Sequence, residues 1–161
     1  SDVGGVHVGL ADTPSLEAAY VDLASRLGPL VLVQSMVRRG VEAALGAVND
    51  PDFGPYVMVA AGGVLIELLD DRSVSLAPIT EVKAGQMISR LRLARLLAGM
   101  RGAPAADKAA LADVLVRLSH LAFDLRDVVA EIDINPIIVG PTGATAVDAL
   151  VVARRSLPGA Q

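Results

Sequence analysis

The chain has 161 residues, 53% of them hydrophobic, with a net charge of −4 and no cysteine. That length builds one domain with a real core and falls short of two of ordinary size, while the missing cysteines exclude disulfides, cysteine-ligated zinc and a thiol nucleophile and fit a reducing cytoplasm. Its 14 basic residues form no run beyond Arg38-Arg39 or Arg154-Arg155, and with two Tyr, two Phe and no Trp there is little to stack on bases, which argues against nucleic acid as a partner.

The first residue is Ser, and no basic segment followed by an apolar signal core opens the chain; the expectation is a piece of something longer. Val6, Val8 and Leu10 alternate with His7 and Gly9, which predicts a first strand. Thr13-Pro14 reads as an N-cap followed by Pro at the first helical position, and Leu16, Ala19, Tyr20, Leu23 and Leu27 mark one face of a helix that stops at Gly28. Residues 30–34 form a nearly continuous apolar run, as in a strand covered on both faces. Gln34-Ser35-Met36-Val37 leads into the basic turn Arg38-Arg39-Gly40, and a strand over 41–48 carries the single acid Glu42.

Residues 49–55 are dense in turn formers and read as a hairpin connection, with strands over 56–60 and 64–69 beyond it, the second containing Glu67. The longest uninterrupted apolar run, 56–66, is well below the roughly 18 residues of a membrane-spanning helix. After a turn at 70–73, Ser75-Leu76-Ala77-Pro78 closes a last strand, because Pro cannot sit in a central ladder. Thr80 caps a helix running to about 91, and a short helix covers 93–98. The clearest helix runs from 107 to about 123, where Leu111, Val114, Leu115, Leu118, Leu121 and Ala122 follow 3.6-residue spacing and Asp107, Asp113, Arg117 and His120 lie off that stripe. His120 adjoins Ser119, but adjacent helical residues do not face each other, so a Ser-His dyad is not expected. His7 reads as a structural or surface residue. Strands followed by a block of helices predict an α+β layer structure.

The last stretch, Glu131 to Asp148, carries the chemistry. Alternation puts Glu131, Asp133 and Asn135 on one strand face and Ile132 and Ile134 on the other. Gly140-Pro141-Thr142-Gly143 favours a turn, and a second strand follows over 144–151. If the hairpin folds symmetrically about Pro141-Thr142, Asn135 falls opposite Asp148. A carboxylate and an amide oxygen then converge, a hard-oxygen set suited to Mg²⁺ that keeps waters and bridges to a substrate phosphate. The same alternation also describes an edge hairpin with a solvated polar face, and spacing alone does not separate the two.

Several separated segments decide between them: Ser1-Asp2-Val3-Gly4-Gly5-Val6, Val31-Leu32-Val33-Gln34 with Gly40-Val41-Glu42, Asp52-Phe53-Gly54-Pro55, Gly62-Gly63 with Glu67, Leu76-Ala77-Pro78, Leu97 with Gly99-Met100-Arg101-Gly102, and Asp133-Ile134-Asn135-Pro136 with Asp148. In this order and spacing the chain resembles the ATP-grasp domain of nucleoside-diphosphate-forming acyl-CoA synthetases, relatives of succinyl-CoA synthetase β subunits. The resemblance covers 1–155, with 156–161 as a frayed tail. It implies an ATP-grasp fold that clamps ATP between antiparallel sheets, with Mg²⁺ on the phosphates. Carried over, Asn135 and Asp148 look like the metal ligands, with Asp133 on the same face. Gln34, Ser35, Met36 and Val37 look like the hinge whose backbone reads the adenine edge, Met36 packing on the ring. Glu42 looks like the acceptor for the ribose hydroxyls. Gly62-Gly63 would permit a close backbone approach to nucleotide or to a neighbouring strand; no Gly-x-Gly-x-x-Gly or Walker-type lysine accompanies it. Glu67 and Arg101 are further candidates.

The His-Lys pair that family members carry just before the segment matching Ser1-Asp2 is not in the chain, nor is much of the nucleotide-covering small subdomain. The expectation is therefore the C-terminal part of an ATP-grasp domain, inactive by itself. In the complete protein it would serve ATP-dependent ligation of a carboxylic acid to CoA through an acyl phosphate, with CoA and acid bound by CoA-binding and ligase domains elsewhere, in the cytoplasm and away from membranes. The alternative is a regulatory ATP-grasp-like module attached to a protein lysine acetyltransferase, and a third possibility is a scaffold that binds only its sister domains.

Overall fold

The computed structural model describes residues 4–62, 71–99, 102 and 104–154. They fall into two units, Ser1–Val37 and Arg38–Gln161. Among them no helix is long and apolar enough to cross a membrane.

The first unit is built on helix α1, Thr13–Leu27. Its cap is Asp12, one residue before the expected Thr13: Asp12 accepts from Ser15 N at 2.8 Å while Ser15 Oγ accepts from Asp12 N at 3.3 Å. A carboxylate satisfies a free helical N–H and also meets the positive end of the helix, so it takes the position ahead of a hydroxyl. Gly28 ends the helix as expected, with φ +105°. The predicted strands over 6–10 and 30–34 are not strands. Both are irregular, and Val8 and Leu30 are 70% and 97% exposed. Apolar alternation gives a segment two faces, but a strand exists only where a neighbour completes its ladder. The 4–10 segment is instead tied to α1 through side chains. Asp22 accepts from His7 Nε2 at 3.0 Å and from Arg26 Nη2 at 2.5 Å, and Arg26 Nη2 also donates to Gly4 O.

The second unit is a sheet with helices on one face. Strands β1 (Val41–Asp50) and β2 (Gly54–Ala61) form the expected hairpin. In its turn Asp50 Oδ1 accepts from the N–H groups of Asp52 and Phe53, and Gly54 takes φ +79°. Strand β3 (Arg72–Leu76) borders β2, so Arg72 and Ser73, expected in a turn, are laddered. It ends where Pro78 is reached, through a cis Ala77–Pro78 bond. The expected strand over 64–69, with Gly63 and Glu67, lies outside the described residues, as do Arg101 and the tail. Helices α2 (Glu81–Ser89, capped by Thr80), α3 (Leu93–Leu97) and α4 (Lys108–Asp124) follow, and then strands β4 (Val129–Val139), β5 (Ala144–Ala146) and β6 (Ala149–Ala153). The sheet is antiparallel in the order β3-β2-β1-β4-β5, with β6 also on β4.

The core lies between one face of this sheet and the helices. Ala43, Leu45 and Ala47 of β1, Val57 and Val59 of β2, and Ile132, Ile137 and Val139 of β4 meet Met87, Ile88, Leu93, Leu97, Leu111, Leu115, Leu118 and Ala122. Each fully buried Leu or Ile contributes about 1.5–3 kcal/mol. Leu121, expected on the inner stripe of α4, is 47% exposed, and its place is taken by Ser119, which is fully buried. A hydroxyl survives there because it is satisfied twice: Ser119 Oγ accepts from Ile79 N at 3.0 Å and donates to Val116 O at 2.6 Å. His120 is exposed, so no dyad with Ser119 exists.

Candidate functional site

Opposed residues in a ladder share a face, and the register therefore sorts the sheet into two sides. Gly46 stands opposite both Met58 and Asp133, and Asp133 opposite Leu150. Glu42, Ala44 and Gly46 thus share a face with Met58, Asp133 and Leu150. This is the face away from the core residues Ala43, Leu45 and Ala47, so the helices of this unit leave it free.

On β4 the ladder contains an insertion at the point of interest. Leu45 pairs with Ile134 and Ala43 with Ile137, so two residues, Asn135 and Pro136, stand where β1 offers only Ala44. The bond between them is cis. The neighbouring edge breaks to match: β5 ends at Ala146 and β6 begins at Ala149, leaving Val147 and Asp148 across from the insertion. The single second strand expected over 144–151 is therefore two short ones. Backbone bonds stitch the gap, Asn135 N to Asp148 O at 3.2 Å and Val147 N to Pro136 O at 3.0 Å. Asn135 lies opposite Asp148, as symmetry about Pro141-Thr142 requires, and opposed Cβ atoms sit about 5 Å apart. Asn135 and Asp148 are exposed and Asp133 is half-buried. Asp148 Oδ1 accepts from Ala149 N at 2.9 Å.

The chemistry of this donor set fits a hard cation. It consists of one amide oxygen and two carboxylates, and neither Asp133 nor Asp148 forms an ion pair with Lys or Arg among the described residues. No three His, Cys, Asp or Glu side chains cluster as a complete metal cage among the described residues. An ion held here would keep positions for water or phosphate.

Glu42 lies two residues from Ala44 on the same face, about 7 Å along the strand, and is exposed. Its main chain is held from the other side by Gly62, whose N–H donates to Glu42 O at 2.8 Å. A Cβ on Gly62 would stand 2.6 Å from Glu42 C and 2.7 Å from Ala43 N. The close approach read into Gly62 is thus to the neighbouring strand. Gln34, Ser35, Met36 and Val37 belong to the first unit, where they are irregular and Met36 is 63% exposed.

Sequence reasoning passed over one residue that bears on the hairpin. Asp107 precedes α4 and accepts from Ala110 N with Oδ1 and from Gly143 N with Oδ2, both at 3.0 Å, while its own N–H donates to Gly140 O at 2.7 Å. An Asp just ahead of an apolar stripe signals a cap; its bond to a turn 36 residues on leaves no local trace.

Residues 1–153 match the ATP-grasp domain family. An ADP-forming acetate-CoA ligase of Archaeoglobus fulgidus is 40% identical over 92% of this chain, which spans only 22% of that ligase. The β subunit of an ADP-forming acetate-CoA ligase of Pyrococcus furiosus is 35% identical over 94% of this chain and 68% of the subunit. Among solved structures, a dinucleotide-forming acetyl-coenzyme A synthetase of Ca. Korarchaeum cryptofilum, in complex with coenzyme A and Mg-AMPPCP, superposes with a TM-score of 0.86 at 38% identity. The match covers 95% of this chain and 70% of that one, and in that complex a phosphohistidine segment points towards the nucleotide binding site. With its antiparallel sheet, one-sided helices and polar hairpin, the chain belongs to the ATP-grasp domain family, in the group that includes the β subunits of ADP-forming acetate-CoA ligases.

Proposed function

We propose that this chain is the nucleotide-binding part of an ADP-forming acyl-CoA ligase and that its β4–β6 hairpin holds Mg²⁺-ATP. The observation that carries the reading is the register that sets Asn135 across from Asp148 on a sheet left open by its helices. In the reaction the γ-phosphoryl group of ATP is transferred as ADP leaves, and the carboxylate receives it as an acyl phosphate. The thiol of CoA then takes the acyl carbon, and phosphate leaves. Mg²⁺ held by Asn135 and Asp148 would offset negative charge on the transferred phosphoryl group.

The protein's own part is positioning. Asn135 and Asp148 ligate the cation, with Asp133 beside them on the same face. Glu42 accepts hydrogen bonds from the ribose hydroxyls, and its separation from the hairpin is shorter than a nucleoside triphosphate. Backbone groups of Gln34, Ser35, Met36 and Val37 read the adenine edge, with Met36 against the ring. The acid and CoA bind to other domains or subunits of the enzyme, and the setting is the cytoplasm. The relatives described are CoA ligases and synthetases, which favours ligation over a regulatory acetyltransferase module.

Calorimetry with Mg²⁺-ATP on the wild-type chain and on Asp148→Ala tests the assignment. Loss of a first ligand should weaken binding at least tenfold, since changing even a residue that only orients a ligand costs about 10–100-fold in metal affinity. Equal affinities in the two proteins would remove Asp148 from the site.

A further inference from the structure

The hydrogen bonds around Asp107 close a ring. Asp107 N donates to Gly140 O, Gly140 N donates to Gly143 O, and Gly143 N donates to Asp107 Oδ2, at 2.7, 2.9 and 3.0 Å. The remaining carboxylate oxygen, Oδ1, accepts from Ala110 N in the first turn of α4. One side chain therefore divides its two oxygens between a helix packed in the core and the tip of the polar hairpin. Gly143 has φ +102°, a left-handed conformation that a side chain would resist.

What the tip fixes is register. The turn sets Val139 against Ala144, Ile138 against Thr145 and Ile137 against Ala146, and the same count continues across the insertion to Asn135 and Asp148. In a β ladder a slip of one residue exchanges the faces of every side chain on the strand. Here it would also move Asp148 away from Asn135. Beyond their ladders to β4, the β5 and β6 segments are lightly held near the turn: all of β6 is exposed and β5 has three residues, and the bonds of Arg154 to Val128 O and Asn49 O lie at the far end of β6.

We propose that Asp107 is a positioning residue for the metal site: by clamping the Gly140–Gly143 turn to helix α4, it sets the register that keeps Asn135 and Asp148 opposed. The proposal rests on the metal reading of the hairpin, and its test keeps the two apart. Asp107→Ser retains a good helix cap, but a single short hydroxyl cannot serve Ala110 N and Gly143 N together. Mn²⁺ is the probe, titrated into the chain and followed by its electron paramagnetic resonance, with amide hydrogen exchange read at Gly143 and in α4.

Asp107→Ser should leave α4 protected, speed exchange at Gly143 about tenfold or more, and raise the Mn²⁺ dissociation constant about tenfold, as for other residues that orient a metal ligand. A cross-strand disulfide from Val139→Cys and Ala144→Cys holds the register covalently. This is the pair next to the hydrogen-bonded Gly140 and Gly143, where side chains stand closest. Placed in the Asp107→Ser background, it should restore Mn²⁺ affinity, which a merely stabilising role for Asp107 would not require. If Asp148→Ala loses Mn²⁺ while Asp107→Ser binds as the wild type does, or the disulfide restores nothing, the role of Asp107 is overturned and the metal site stands. If the wild type takes up no Mn²⁺, or Asp148→Ala binds unchanged, the metal reading falls and the proposal with it.

Discussion

Gly62→Ala offers a measurement in which sheet packing and ligand binding are perturbed through one atom. The added Cβ would meet Glu42 C at 2.6 Å, Ala43 N at 2.7 Å and Glu42 Cβ at 2.9 Å. The two nearest are backbone, so no flexible side chain can give way, and β2 must move off β1 at the residue proposed to hold the ribose. The bond from Gly62 N to Glu42 O is weakened or lost, at about 1 kcal/mol, and the overpacking adds about 1–3 kcal/mol. Together these amount to about 2–4 kcal/mol. At about 2–4 °C per kcal/mol for a chain of this size, the melting temperature should fall by about 5–15 °C. Gly54→Ala is the control. Nothing lies within 4 Å of its added Cβ, and its φ of +79° costs about 1–2 kcal/mol in the far turn of the same hairpin. Thermal unfolding by circular dichroism should register both variants, whereas Mg²⁺-ATP calorimetry below the transition should register Gly62→Ala alone. A Gly62→Ala protein that melts with the wild type would refute the packing argument. One that melts early yet binds nucleotide normally would sever Glu42 from the ribose.

Two further outcomes follow from the hydrogen-bond geometry. Ser119→Ala strips Ile79 N of its acceptor inside the core; an orphaned buried N–H costs about 1–3 kcal/mol, a fall of about 2–12 °C, and a melting curve within 1 °C of wild type would contradict it. Hydrogen bonds from Arg26, and then His7, hold the Asp22 carboxyl down to about 2 from its ordinary 3.8. A carboxyl depressed on folding stabilises the native state above its unfolded value and loses that contribution as pH falls, so the tie between the 4–10 segment and α1 should loosen between about pH 4 and pH 2. A carbon-detected titration of Asp22 reads the midpoint directly; Arg26→Ala should raise it, and a wild-type midpoint near 3.8 would dismiss the pairing.

Where a residue's partner lies close in sequence, the sequence places it to within a residue: the cap of α1 falls on Asp12, one position before the expected Thr13. Thr80 and Gly28 bound helices because capping and helix termination are decided within a turn of the chain. The α4 stripe was legible because 3.6-residue spacing leaves few other ways to bury Leu111, Leu115 and Leu118. The opposition of Asn135 and Asp148 was legible for a related reason: a turn centred on Pro141-Thr142 fixes every pair above it by counting. The two missing strands are the reverse case. Val6, Val8 and Leu10, and residues 30–34, have strand composition, but pairing is a property of two segments and composition describes one.

The remaining misses share a cause. Ser119 carries a hydroxyl and looks like an interruption of the apolar stripe, yet it sits in the core because a backbone N–H 40 residues earlier needs an acceptor. Asn49 has turn-forming neighbours and reads as part of a loop, but it is a buried pin whose Nδ2 donates to Val129 O across the sheet at 2.5 Å. Asp107 reads as the first residue of a helix, off its apolar stripe, and spends one oxygen on a glycine 36 residues away. In each case a polar side chain satisfies a distant backbone group, and burial without that partner would cost more than the bond itself contributes. Such residues are chosen by the tertiary structure that they complete. For the proposed site, then, the ligand pair is written in the strand and its turn, whereas the clamp that keeps the pair in register is written in a helix cap, where only the folded chain brings the two together.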